Sequence, residues 1–181
     1  MMKAQRMDRW DILPMNNEHG AEVLRIYAEA IAEGTSTYVS AQPAWEDWDA
    51  AHICKHRLVA SCNGRIIGFV ALSPLYRPAY YRGVVELSIY VDRPFRRRGI
   101  GLTLLNALLR DIRGGEFWTL HAYIFADNFA SIRLHERAGF AQAGLYRNLG
   151  HRNGLFKDIR VYEYRLHPGE FRIEGGVGTH A

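Results

Sequence analysis

Two rhythms of apolar residues alternate along this chain, one of period two and one near period three to four. Residues 10–14 read as a short strand. Over 17–33, Val23, Leu24, Tyr27 and Ile31 recur at helical spacing and stop at Gly34, which predicts an amphipathic helix with a glycine after its last turn. A loop follows from Thr35-Ser36-Thr37-Tyr38 to Pro43, then a second predicted helix over 44–57. Two strand-like runs, 58–62 and 65–72, flank Asn63-Gly64, the strongest hairpin signal in the chain. After a loop over 73–83, residues 84–91 predict another strand. From about 98 to 113 Ile100, Leu104, Leu108 and Ile112 return every fourth residue, Leu105 and Leu109 widen the stripe, and Gly114-Gly115 close the helix. A strand over 117–124, a helix over 128–138 ended by Gly139, and strands near 140–149 and 155–165 complete the pattern. The sum is one α/β domain over 9–167, with a mixed central β-sheet flanked by α-helices. Residues 1–8 are expected to be a flexible segment, and 168–181, with Gly175-Gly176-Val177-Gly178, a loose tail.

Composition narrows the class. With 181 residues and 48% hydrophobic content the chain can bury a full core without a second domain. Its net charge is +4, from 23 basic and 19 acidic residues, and much of the excess lies between Arg93 and Arg98. A surplus concentrated at one loop suits a small anionic ligand, whereas duplex DNA calls for a broad basic face. Cys54 and Cys62 form no C-x-x-C pair and no disulfide framework, which leaves a reducing cytoplasm as the expected setting. The first ten residues have no apolar targeting core, and no run approaches the length of a membrane span.

The densest chemistry sits between strand 84–91 and the helix after it, in Arg93-Pro94-Phe95-Arg96-Arg97-Arg98-Gly99-Ile100-Gly101. At a helix start the first backbone N–H groups have no intrahelical partner and the dipole favours negative charge, so this junction suits a polyphosphate. It is not a P-loop, because no lysine lies near the glycines. Nor is it a dinucleotide fingerprint, because Leu104 holds the place of a third glycine. The remaining pattern, R-x-x-G-x-G at a strand-to-helix turn, resembles the acetyl-CoA pyrophosphate loop of the GNAT N-acetyltransferase superfamily. The resemblance implies a single-domain GNAT-like fold, acetyl-CoA as co-substrate with no metal, and cofactor contacts from Ile89, Tyr90, Val91, Arg96, Arg97, Arg98, Gly99, Ile100 and Gly101.

Strand 84–91 carries the second candidate. Period two puts Val85, Leu87, Ile89 and Val91 on one face and Val84, Glu86, Ser88 and Tyr90 on the other. Glu86 is then a carboxylate in a hydrophobic strand, and either a cation satisfies it or burial raises its pKa towards that of a general base. Just upstream, Arg77, Tyr80 and Arg82 put cations and an aromatic hydroxyl near it, a set that suits a zwitterionic acceptor. The run R-x-A-Y-x-x-x-V-E-x-S-x-Y-V looks like the phosphinothricin acetyltransferase branch of the superfamily, departing from it at Val84, where the better-known enzymes tend to have a hydroxyl residue. That branch acetylates the α-amino group of phosphinothricin, methionine sulfoximine and methionine sulfone. The resemblance implies Glu86 as base, Thr37 and Tyr38 near the acceptor, a small amino-acid-like substrate, neither nucleic acid nor membrane as partner, and a homodimer.

A third segment, Asn128-Phe129-Ala130-Ser131-Ile132-Arg133-Leu134-His135-Glu136, sets Asn128, Ser131 and His135 along one helical face. It resembles the superfamily's N-x-x-[AS]-x-x-[LF]-[YH]-E segment. The resemblance implies that Asn128 and Ser131 meet the cofactor arm and that His135 protonates the departing thiolate. Read from residues alone, Asn128 is equally a helix cap and His135 an ordinary helix histidine. His52 and His56 at i, i+4 lack a third ligand and read as an exposed pair, while His121 and Tyr123 share one face of a strand and either border the cleft or pack. Two other functions stay open on sequence: acetylation of another amine, such as a protein N-terminus, a polyamine or an aminoglycoside, and a CoA- or nucleic-acid-binding module without turnover.

Overall fold

The computed structural model describes residues 9–75 and 78–167. Seven strands form one sheet in the order β1-β2-β3-β4-β5-β7-β6: β1 (Asp11–Pro14), β2 (Leu58–Cys62), β3 (Arg65–Pro74), β4 (Val84–Val91), β5 (Thr119–Phe125), β6 (Ala141–Arg152) and β7 (Leu155–Arg165). Neighbours pair antiparallel except β4 and β5, which are parallel and joined through α3 (Ile100–Asp111). This is the mixed α/β sheet expected. The expected segments 1–8 and 168–181 lie outside the described residues.

Each face of the sheet is covered because each helix has one apolar stripe to hide. On one face α3 packs Ile100, Leu104, Leu105 and Leu108 over Val70, Leu72, Val85, Leu87 and Leu120. Each such side chain contributes roughly 1.5–3 kcal/mol of burial. On the other face α1 (Gly20–Glu33) lays Val23, Leu24 and Ile26 against Val59, Phe69 and Ala71, with Trp48 of α2 (Trp45–Ala51) beside them. The period-two reading of β4 holds: Val85 and Leu87 are buried on the α3 face with Ile89 and Val91 packed against the same cluster, while Tyr90 joins the α1 side.

The second helix is a correction. Expected over 44–57, it stops at Ala51, because His52 turns extended and Arg57 folds back over the helix end. Its guanidinium, 7% exposed, donates to the carbonyls of Asp49 at 2.8 Å, His52 at 2.6 Å and Ile53 at 2.6 Å and pairs with the Asp49 carboxylate. These bonds satisfy carbonyls that a continuing helix would have used internally. The exposed histidine pair dissolves with it. His52 stacks on Trp48 with ring centroids 3.9 Å apart, and His56 sits in a left-handed conformation with Nδ1 2.7 Å from Asp111. The first helix starts later than expected as well, since Asn17–His19 form a 3-10 turn capped by Asn16.

Candidate active site

The decisive geometry lies between β4 and β5. Their pairing runs through Val84↔Thr119, Val85↔Leu120 and Glu86↔His121 and ends there, although both strands continue, β4 to Val91 and β5 to Phe125. Beyond that rung each strand keeps its other neighbour, β4 pairing β3 up to Val91 and β5 pairing β7 up to Phe125. The two facing edges open into a V with Glu86 and His121 at its foot. Residues 87–91 and 122–125 therefore carry backbone groups with no partner across the gap among the described residues, and an extended ligand of alternating donors and acceptors could supply one.

The arginine loop begins at the open end of β4. Asp92, 0% exposed, anchors it: its carboxylate meets Arg25 at 3.1 Å and Arg65 at 2.8 Å, its N–H donates to Ile67, and its carbonyl receives the N–H of Phe95. The chain then turns through Arg97 and Gly99, both with left-handed φ (63° and 88°), and Gly99 becomes the cap of α3 with no side chain bonded to the helix end. The first amides of α3 are thus free of capping side chains, which fits a polyphosphate. Gly99 is required by its backbone angle. Gly101 is closely packed: a Cβ there would stand 3.2 Å from Leu134 of α4 (Phe129–Arg137), which would have to give way, and 3.6 Å from Val91. The arginines are not all aimed at a ligand. Arg96 donates to both oxygens of Glu33 at 2.8 and 2.9 Å and to the Val91 carbonyl, and Arg98 lies over the Phe95 ring at 5.3 Å.

On the α1 face one lateral row crosses four strands, Ser73–Glu86–His121–Glu163. Glu86 makes no ion pair among the described residues, and burial raises its pKa above the ordinary carboxylate value. Of the two sequence-based alternatives for Glu86, the described geometry therefore favours the desolvated carboxylate. Above the V the loop after α1 straddles both strands. Thr37 meets the hydroxyls of Tyr27, at 3.4 Å, and Tyr90, while Tyr38 stacks edge-on to Phe125 at 4.8 Å and donates to the Lys157 carbonyl. Burial raises the Tyr90 pKa. Arg152 at the end of β6 holds this loop, donating to the carbonyls of Ile31, Thr37 and Val39. Nothing in the sequence flagged Arg152, because its three acceptors lie more than a hundred residues away.

His135 lies on the other face, 2% exposed and edge-on to Phe140 at 5.1 Å. Its Nδ1 is 2.8 Å from the Ser131 carbonyl, which can only accept, so Nδ1 carries the hydrogen; Nε2 is buried with no partner. Burial lowers its pKa, with the Ser131 bond opposing, so the neutral ring presents a lone pair at Nε2. Asn128 caps α4 through Ser131 N–H at 3.1 Å and donates to the Thr35 carbonyl at 3.1 Å, tying α4 to the loop over the V. The remaining acceptor candidates are dispersed. Tyr80 is 72% exposed and meets the Tyr81 ring edge-on. Arg82 borders an open depression with Ile53, Pro74 and Phe117 at the start of β4. Arg77 lies outside the described residues.

The residues that build this opening and helix start fall within a known family: the model of the acetyltransferase (GNAT) family matches residues 21–140. The chain belongs to the GNAT acetyltransferase family. It is an acetyltransferase with relatives in the phosphinothricin and methionine sulfoximine branch. It is 30% identical over 157 residues to the phosphinothricin N-acetyltransferase of Alcaligenes faecalis, covering 82% of this chain and 78% of that one. It is 29% identical over 153 residues to the L-methionine sulfoximine/L-methionine sulfone acetyltransferase of Pseudomonas aeruginosa, covering 81% and 88%. Among solved structures, the phosphinothricin acetyltransferase of Sinorhizobium meliloti in complex with AcCoA superposes with a TM-score of 0.82 at 26% identity, over 93% of this chain and 96% of that one.

Proposed function

We propose that this acetyltransferase transfers the acetyl group of acetyl-CoA directly to the α-amino group of a small amino-acid-like acceptor of the phosphinothricin, methionine sulfoximine or methionine sulfone type. The observation that carries the reading is the parting of β4 from β5 immediately after Glu86. It leaves strand edges for the pantetheine arm and puts a desolvated carboxylate at the foot of the opening. In this reading the amides from 97 to 101 hold the pyrophosphate, and the backbone N–H groups near Tyr90 polarise the thioester carbonyl. Glu86, through a water, removes a proton from the acceptor ammonium so that the neutral amine attacks. Thr37 and Tyr38 close over the acceptor, and holding both reactants in one cleft supplies much of the acceleration.

The thiolate leaves on the His135 side. In the resting tautomer Nε2 has no proton to give, so His135 accepts or relays a hydrogen bond there, and it acts as an acid only after protonation. A homodimer in a cytoplasmic setting completes the proposal. The dimer is supported by the exposed apolar residues of the edge hairpin, Leu145, Tyr146, Leu149, Leu155 and Phe156. No helix among the described residues is long and apolar enough to cross a membrane.

The test is release of free thiol from acetyl-CoA over a panel of phosphinothricin, methionine sulfoximine, methionine sulfone, free amino acids, polyamines, an aminoglycoside and an N-terminal peptide. Turnover with the first three at higher kcat/KM than with the others is expected. Preference for a polyamine, aminoglycoside or peptide would overturn the acceptor class.

A further inference from the structure

On the Glu86 face one histidine, His121, has a buried ring nitrogen with no hydrogen-bond partner among the described residues. His121 is the register neighbour of Glu86 across the last β4–β5 rung and of Glu163 across β5–β7, so all three side chains stand on the same face of adjacent strands spaced about 4.8 Å apart. Its Nδ1 is buried and makes no hydrogen bond. A buried ring nitrogen without a partner is costly, and a histidine kept only for packing would be expected to find one. The charged and titratable groups around it are Glu86 on β4, Tyr123 on β5 at 6.2 Å between rings, and Glu163 on β7, whose carboxylate also pairs with Arg165 at 3.2 Å. Burial lowers the His121 pKa and Glu163 works against that, so the ring is neutral near pH 7 yet can be charged beside a carboxylate.

We propose that His121 is a proton-relay residue that regenerates Glu86 in each turnover. The inference rests on the acetyl-transfer reading above. The acceptor ammonium loses a proton to the intervening water, its N–H bond breaking as the water passes one of its own protons to the Glu86 carboxylate and a Glu86 O–H bond forms. That proton then passes, directly or through one water, to the lone pair of the His121 ring, so the O–H bond breaks and an N–H bond forms. Glu163 balances the imidazolium until solvent removes the proton. Glu86 ends as the carboxylate it began as, and no electrons are exchanged. Without the relay a protonated Glu86 in a desolvated site would have to return its proton to the reactants or wait for water.

Steady-state thiol release from pH 5.5 to 9 with wild type, His121→Ala, His121→Gln and Glu86→Gln tests this, with thermal melts and acetyl-CoA affinity confirming that each variant is folded. His121→Ala is expected to lose roughly ten- to a hundredfold in kcat with acetyl-CoA affinity unchanged. Added imidazole should restore much of the loss in His121→Ala but not in Glu86→Gln. The acid limb of kcat, governed by two groups in the wild type, should become shallower in His121→Gln, where Glu86 alone remains. A wild-type profile in both His121 variants, or a uniform loss at every pH without imidazole rescue, would overturn the relay while leaving Glu86 and the transfer reaction intact. Absence of turnover by the wild type with every amine would instead overturn the transfer reading, and the relay with it.

Discussion

The two faces of the sheet at the β4–β5 opening are built on opposite principles. On the α3 side Ile100, Leu104, Leu105 and Leu108 are buried in one apolar cluster, and His135 is held by the Ser131 carbonyl. On the α1 side the packed cluster gives way to a row of Ser73, Glu86, His121 and Glu163 beneath a loop that Arg152 holds in place. In the proposed function the apolar side positions the cofactor loop and the polar side carries the proton chemistry. The apolar face fixes where the loop and helix start must be, and the polar face keeps Glu86 out of water without an ion pair among the described residues, so burial raises its pKa.

Removing the charge that defines the polar face should have the largest effect. Glu86→Gln is expected to lower kcat by about 10²- to 10⁴-fold with acetyl-CoA affinity unchanged by calorimetry; an unaltered rate would reject Glu86 as base. The same variant tests the desolvation. A carboxyl whose folded pKa is raised adds stability that is complete below its unfolded value, near pH 4, and is lost as pH rises through the folded value. The melting temperature of Glu86→Gln relative to wild type should therefore rise from pH 4 to pH 8, and a pH-independent difference would show that Glu86 is not desolvated.

Next in size is the clamp over that face. Arg152→Ala removes the donor to three carbonyls. The Val39 carbonyl is exposed and the other two are only partly buried, so with a cost of about 1–3 kcal/mol for a buried group left unpaired, urea unfolding should show a loss of about 1–3 kcal/mol and the acceptor KM should rise. Arg152→Lys, lacking the planar fork, should recover only part of both. On the apolar face the analogous change is Gly101→Leu, which drives a side chain into Leu134. Overpacking of this kind costs roughly 1–3 kcal/mol, and acetyl-CoA binding should weaken about tenfold with the acceptor KM preserved. If instead the acceptor KM moved and acetyl-CoA affinity did not, the division of labour between the faces would be wrong. Smallest is Arg96→Ala, which breaks a partly exposed pair with Glu33. Such pairs contribute about 0–1 kcal/mol, so a larger fall in acetyl-CoA affinity would mean that Arg96 leaves Glu33 to meet the phosphates.

Much of the architecture was legible along the chain, because helices and strands are written in local periodicity. Strand 84–91, its two faces and the α3 stripe follow from residue spacing alone, and so do the Asn63-Gly64 hairpin and the glycine-cornered start of α3. The helix over 44–57 failed for a non-local reason, since Arg57 competes for its own helix's carbonyls once the chain folds back. The His52 and His56 pair failed with it.

For the site, sequence determined the residue types on which the proposed chemistry rests: Glu86 amid hydrophobic neighbours, and a basic, glycine-turned loop leading into a helix. It also fixed on which face of its strand Glu86 stands, because side chains alternate with a period of two whatever the partner strand is. Only the tertiary structure decided that β4 and β5 separate immediately after Glu86, that Ser73 and His121 are its lateral neighbours with Glu163 beyond His121, and that Arg152 and Asn128 pin a loop over the opening. These are relations between segments tens of residues apart, set by register and packing, and no spacing along the chain encodes them.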